Sequence, residues 1–163
     1  MFSSSGSDIA SIDHDLGLMI GSLVAAECPL STACWIMSPI TATALALRRG
    51  TDGAPAYPQV TARGGFLIGL PVLVSTVCAA SGSPGERFIA LVEQSEILVA
   101  DDGGGDVQLA TRAALQMNDA PAAGAAQLVS LWSSDMVGLR LLRYVNWARR
   151  RTGAACVLRD VTY

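Results

Sequence analysis

Few residues in this chain are of types that do chemistry. His14 stands between Asp13 and Asp15 in the run "SIDHDLG". A Ser/His/Asp triad needs a carboxylate that holds the imidazole. Adjacent helical residues point in different directions, so neither aspartate orients the ring. No G-x-S-x-G nucleophile elbow occurs. The run Asp101–Asp106, "DDGGGD", offers three carboxylates to a hard cation. It lacks the alternating spacing and closing glutamate of a calcium loop, and no G-K-[ST] follows to make a phosphate loop. It therefore reads as a solvated turn. Cys28, Cys34, Cys78 and Cys156 contain no C-x-x-C pair, and with one histidine they encode no zinc site of the usual spacing. Each lies among apolar or small residues, as buried free thiols do, which suits a cytosolic chain better than a secreted one. Arg149, Arg150 and Arg151 could meet phosphate or an acidic partner, but they precede Thr152-Gly153 and read as a solvated turn. Glu86, Glu93 and Glu96 are scattered and form no acid–base pair. The chain contains no lysine, which removes Schiff-base and lysine-nucleophile chemistry. The expectation is no catalytic, cofactor-binding or metal-ligating residue.

The elements that would position such groups form a mixed α+β pattern. Ser11–Glu27 carries Ile12, Leu16, Met19, Ile20, Leu23 and Val24 at helical spacing, with Asp13 and Asp15 suited to its first turn. Cys34–Met37 reads as a buried strand. Ser38 then caps a helix over 39–49, with Pro39 at its first position, Arg48 and Arg49 at its negative end and Gly50 in a left-handed conformation just beyond. Thr51–Arg63 reads as an extended loop. Gly65–Val77 is strand-like, with Gly69-Leu70-Pro71 as a kink or edge feature. Ala79–Gly85 is a turn. Phe88–Val92 and Glu96–Ala100 are short strands. Val107–Met117 and Gln127–Trp132 alternate weakly and form a two-stranded arm, projecting over 105–134, with a flexible tip at "NDAPAAGAA". Met136–Trp147 is strand or helix. Ala154–Tyr163 is the last strand. The sheet is flanked by the two helices, and Trp35, Ile36, Leu45, Leu67, Ile68, Val72, Val74, Leu139 and Leu141 are expected to be buried. Trp35, Trp132 and Trp147 read as core or interface anchors.

At 163 residues the chain has room for one domain with a core. Hydrophobic residues make up 51% and charged residues 15%, so its surfaces are suited to meeting other surfaces. A net charge of −3 argues against nucleic-acid binding through a broad basic face. The longest nearly apolar run, Phe66–Ala80, falls short of the ~20 residues of a membrane helix. Met1–Ser7 is Ser/Gly-rich and reads as a flexible tail rather than a signal peptide.

Four blocks then stand in order: "WIMSPITATALAL", "GGFLIGLPVLVS", "LQMNDAP" and "LVSLWSSDMVGLRLLRYVNWARRRTGAACVLRDVTY". Together they resemble the C-terminal part of tailed-phage major capsid proteins of the Hong Kong 97 type, over Asp8–Tyr163. In that family a W-x-M-x-P/N segment opens a helix, a G-x-L-x-G-x-P-V strand follows, and an apolar-and-arginine stretch closes the chain. The resemblance implies an axial-domain-like region over 8–100 and 135–163, and a peripheral-domain strand arm over 101–134. It implies a structural, non-enzymatic protein that self-assembles into an icosahedral shell enclosing DNA. Its partners would be other copies of itself, with portal, scaffold and head-completion proteins. It would reside in the virion, made in the bacterial host cytoplasm, with no cofactor, no sequence-specific nucleic acid and no membrane. Some members form Lys–Asn cross-links, which a chain without lysine cannot supply. The family's N-terminal arm, extended loop and most of its spine helix precede this region, so a truncated remnant or fragment is expected to form small oligomers rather than closed shells. The competing reading is a small cytosolic α+β enzyme or ligand-binding domain, which a pocket around His14 or the "DDGGGD" carboxylates would favour.

Overall fold

The first helix, α1 (Ile9–Ala25), begins where Asp8 accepts from the Ser11 backbone N–H at 3.2 Å, as an N-cap does. In the computed structural model, which describes residues 1–78, 87–117 and 128–163, the chain runs β1 (Phe2–Ser3), α1 (Ile9–Ala25), β2 (Ala33–Met37), α2 (Pro39–Leu47), β3 (Val60–Thr61), β4 (Gly64–Leu67) and β5 (Leu70–Val74). It continues through β6 (Arg87–Glu93), β7 (Ile97–Asp101), β8 (Asp106–Ala110), β9 (Ala114–Gln116), β10 (Leu128–Ser130), β11 (Gly138–Leu142), β12 (Val145–Arg149) and β13 (Ala155–Val161). Two compact units result: Met1–Leu98 with Ala148–Tyr163, and Val99–Trp147.

The first unit is built on a seven-stranded mixed sheet in the order β1-β13-β6-β2-β5-β4-β3. Strands β1 and β13, and β2 and β5, pair in parallel; the other neighbours are antiparallel. Ile12, Leu16, Met19 and Leu23 line one stripe of α1, and with Leu45 of α2 they share one core with Trp35, Met37, Leu67, Val72, Ile89, Leu91 and Leu158. Each such side chain contributes ~1.5–3 kcal/mol by leaving water. Alternation sends Ile36, Leu73 and Val157 to the opposite face, where Leu73 is exposed and the other two are half-buried.

The α+β class and the Ser38 cap agree with the sequence reading. Ser38 accepts from Thr41 N–H at 3.1 Å, with Pro39 opening the helix. Helix α2 stops at Leu47 instead of 49, however, because Arg48 is already extended. The left-handed turn falls at Gly53, not Gly50. Residues 1–7 are not a loose tail. Phe2–Ser3 pairs with Leu158–Arg159 along the open edge of β13, and Ser5 N–H donates to buried Asp15 at 2.8 Å. Gly65–Val77 is not one kinked strand but the hairpin β4–β5, closed at Ile68-Gly69. Pro71 is tolerated beside two strands because the ladder to β2 starts only at Val72. The end of the Thr51–Arg63 segment forms β3.

In the second unit β8 pairs with β11 and β9 with β10, while β7 pairs with β12 where the chain crosses between the units. Met136–Trp147 therefore holds β11 and the start of β12, and no helix. The return half of the arm continues beyond Trp132, and Val107–Ala110 pairs with Gly138–Leu141 rather than with 127–132. Leu139 and Leu141, expected to be buried, are exposed because they lie on an uncovered face of this two-stranded ladder. Ile68 is exposed at its turn, and Ile36 and Val74 are half-buried. The Ala79–Gly85 turn, Glu86 and the "NDAPAAGAA" tip lie outside the described residues.

Candidate functional site

The residues singled out for chemistry do not converge. His14 is exposed on α1. Asp13 beside it accepts instead from Tyr57 Oη at 2.7 Å, while Asp15 turns into the core. In "DDGGGD", Asp101 pairs with the Arg143 guanidinium, which holds its carboxyl below the usual range. Asp102 accepts from Tyr144 N–H at 3.3 Å, and Asp106 from Gln108 at 2.8 Å. Among the described residues no group of three or more His, Cys, Asp or Glu could hold a metal ion. All four cysteines are buried and free. Burial raises the Cys78 and Cys156 thiols, which favours their protonated form.

Arg149–Arg151 form more than a solvated turn. Arg151 donates to the Ala26 and Glu27 carbonyls, at 3.4 and 2.5 Å, where the C-terminal end of α1 carries negative partial charge. Its Nε lies 3.5 Å from buried Glu96. Arg149 reaches the Thr152 carbonyl at 3.2 Å, and the Arg150 N–H donates to the Glu96 carbonyl at 2.8 Å. Glu93, read from sequence as one of several scattered carboxylates, is fully buried. Burial pushes its carboxyl up, but donors from Thr32 and Ser95 outweigh this and hold it below the usual range. These contacts tie α1, the start of β2 and the end of β6 together, a structural role that spacing alone could not reveal.

Exposed apolar surface dominates what remains. On the second unit, the register sets Leu109 opposite Leu139 and Val107 opposite Leu141. With Ala110, Ala113 and Leu115, the three leucines line an open groove of about 560 Å³. Leu109, Leu139 and Leu141 are 75%, 70% and 65% exposed. Trp132 and Trp147 are exposed too, so only Trp35 serves the core; the Arg112 guanidinium lies 5.8 Å from the Trp132 ring centroid. On the first unit, Phe66 and Ile68 protrude at the β4–β5 hairpin, 53% and 56% exposed. Exposed apolar patches of this kind occur where proteins meet partners, membranes or ligands.

Comparison with known proteins follows the same direction. No family model matches the chain. Over 163 aligned residues it is 36% identical to the capsid polyprotein of Pseudomonas phage PAJU2, covering 98% of this chain and 24% of that protein. The chain therefore spans about a quarter of that relative's length. A solved structure from Mycobacterium phage Ogopogo superposes with a TM-score of 0.53 over 91% of this chain and 51% of that one, at 18% identity, which shows a shared fold. By sequence the chain is a relative of one segment of a phage capsid polyprotein, and the resemblance carried by its ordered blocks is borne out at that level.

Proposed function

We propose that the chain is a structural part of a tailed-phage major capsid protein of the Hong Kong 97 type, which self-assembles through subunit contacts into an icosahedral head enclosing DNA. The observation that carries this reading is the 36% identity to a phage capsid polyprotein along nearly the whole chain. The fold shared with a phage structure and the apolar faces on both units support it.

In this reading the first unit is the axial-domain-like region and the second is the strand arm of the peripheral domain. We take the arm as Val99–Trp147, a reading supported by the pairing of β8 with β11, so that residues 135–147 leave the axial-domain-like region expected from sequence. Partners are neighbouring copies, with portal, scaffold and head-completion proteins. The chain is made in the host cytoplasm, resides in the virion, and has no enzymatic role, cofactor, membrane partner or sequence-specific DNA contact.

Mass spectrometry of purified phage heads tests the reading. Peptides from this chain at the stoichiometry of a shell subunit are expected. Their absence from heads, in cells that express the chain, overturns it.

A further inference from the structure

Asp15 is at odds with its place on α1. It lies on the buried side with Ile12, Leu16, Met19 and Leu23, and is only 2% exposed. A buried carboxylate is costly unless donors satisfy it, and an apolar residue of similar size would pack there without that cost. Among the described residues its one hydrogen bond comes from the Ser5 N–H, at 2.8 Å. The aspartate therefore serves the strand that precedes the helix, not the helix itself. That strand is held by few other contacts. Phe2 and Ser3 pair with Leu158 and Arg159, the Ser4 N–H donates to the Arg159 carbonyl at 2.9 Å, and Ser5 Oγ reaches the Ser11 carbonyl at 3.3 Å. Within Phe2–Ser5, Phe2 is the one side chain packed against the apolar core. Strand β13, by contrast, is seven residues long with Cys156 and Leu158 buried, and without β1 it would end the sheet. An edge of that length is a ready template for a strand of another chain. β1 lies across its middle, and just beyond, a bulge with Asp160 at φ 58° distorts the remainder.

We propose that Phe2–Ser5 is a guard strand, latched by Asp15, that closes the outer edge of β13 against pairing with other chains and opens while the sheet stays folded. Opening requires the loss of a two-residue ladder and the Asp15 contact, with Gly6 and Ser7 as the joint before the Asp8 cap. A segment with so few buried contacts opens locally, well below the cost of global unfolding. The device works within one chain, so it needs no neighbouring copy and does not depend on the capsid reading.

Site-resolved amide exchange by NMR and sedimentation velocity test this on the full chain, Asp15→Leu and Ser4→Pro. Asp15→Leu removes the latch and suits a helix. Ser4→Pro removes one N–H from the guard strand and leaves every core side chain in place. Circular dichroism establishes that the variants are folded. In the unaltered chain the Ser4 and Ser5 amides are expected to exchange about a hundredfold faster than those of β2 and β6, at a rate that sub-denaturing urea hardly changes. In Asp15→Leu they should exchange about tenfold faster again, with the thermal midpoint unchanged or raised. Both variants should associate about tenfold more tightly than the unaltered chain, through the uncovered edge. Ser4 and Ser5 amides that exchange only together with the sheet overturn the opening. A lowered midpoint in Asp15→Leu with unchanged exchange at Ser5 makes Asp15 a core residue and not a latch, and overturns the inference. Variants that free the strand yet associate no more than the unaltered chain overturn the guard role. Each of these results leaves the capsid reading standing.

Discussion

Trp35 and Leu67 are joined by a hydrogen bond from the indole N–H to the backbone carbonyl, 3.0 Å long and fully inside the core. It links a central strand to the last residue before the β4–β5 turn. Trp35→Phe removes the donor and leaves a smaller ring, so a buried carbonyl loses a partner and the core loses contacts. A loss of about 1–3 kcal/mol is expected in urea unfolding. An unchanged midpoint would show that the turn holds itself.

Ser38 caps α2 from a buried position, with Thr41 N–H as its donor. Ser38→Ala should cost ~0.5–2 kcal/mol. Ser38→Asp, which keeps an acceptor, should lose less in thermal melts; equal losses would argue that burial and not capping fixes this residue.

Gly65 has φ at 135°, and a Cβ there would sit 2.0 Å from the Gln59 carbonyl oxygen. Backbone must move to admit any side chain. Gly65→Ala is expected to destabilise by more than about 1 kcal/mol and to separate β3 from β4, read as faster amide exchange at Val60 and Gly65. Retained protection at both amides would show that the loop yields freely.

Glu93 sets an acid limit on the first unit. Its folded carboxyl titrates below the ordinary value near 4.5, so its contribution is complete above that value. As pH falls through 4.5 toward the folded value, the unfolded chain takes up the proton first and the contribution is lost. Glu93→Gln should lower stability at neutral pH by about 1.5–3 kcal/mol and flatten the acid limb of a stability–pH curve. An acid limb of unchanged slope in the variant would assign it to other carboxylates.

The second unit, built of two-stranded ladders, should exchange its amides faster than β2 and β6, which have partners on both sides and a buried face. Hydrogen-exchange mass spectrometry of a dilute sample distinguishes the two. Equal protection at low concentration would mean that the arm is covered even in the single chain.

Much of the first unit was legible because its signals are local. The Ser38-Pro39 cap, the Ile12/Leu16/Met19/Leu23 stripe and the apolar run around Trp35 each depend on neighbours in sequence. Pairing across long separations was not legible. Residues 1–7 resemble a tail until β13 offers an edge, and Val107–Met117 shows no sign that most of its partners lie beyond Trp132. Periodicity also cannot separate an apolar residue facing the core from one awaiting another molecule, so Leu139 and Leu141 read as core. The structural roles of buried Glu93 and Glu96 and of Arg151 arise where β2, β6 and the approach to β13 meet, which no spacing records.

The placement of the second unit between β7 and β13 has a consequence for synthesis. Strand β6 needs β13 on one side, yet about sixty residues separate Glu93 from Ala155. At about 5–20 residues per second, that edge stays open on the ribosome for roughly 3–12 seconds. Helix α1 precedes these strands in the chain, packs chiefly against β13 and so gains its main support only once β13 is made, as does β1. The stripe of α1 that faces β13 must wait in solution until β13 has been made. Slow elongation through Val99–Trp147 would lengthen that exposure and favour aggregation before any copy could meet its neighbours.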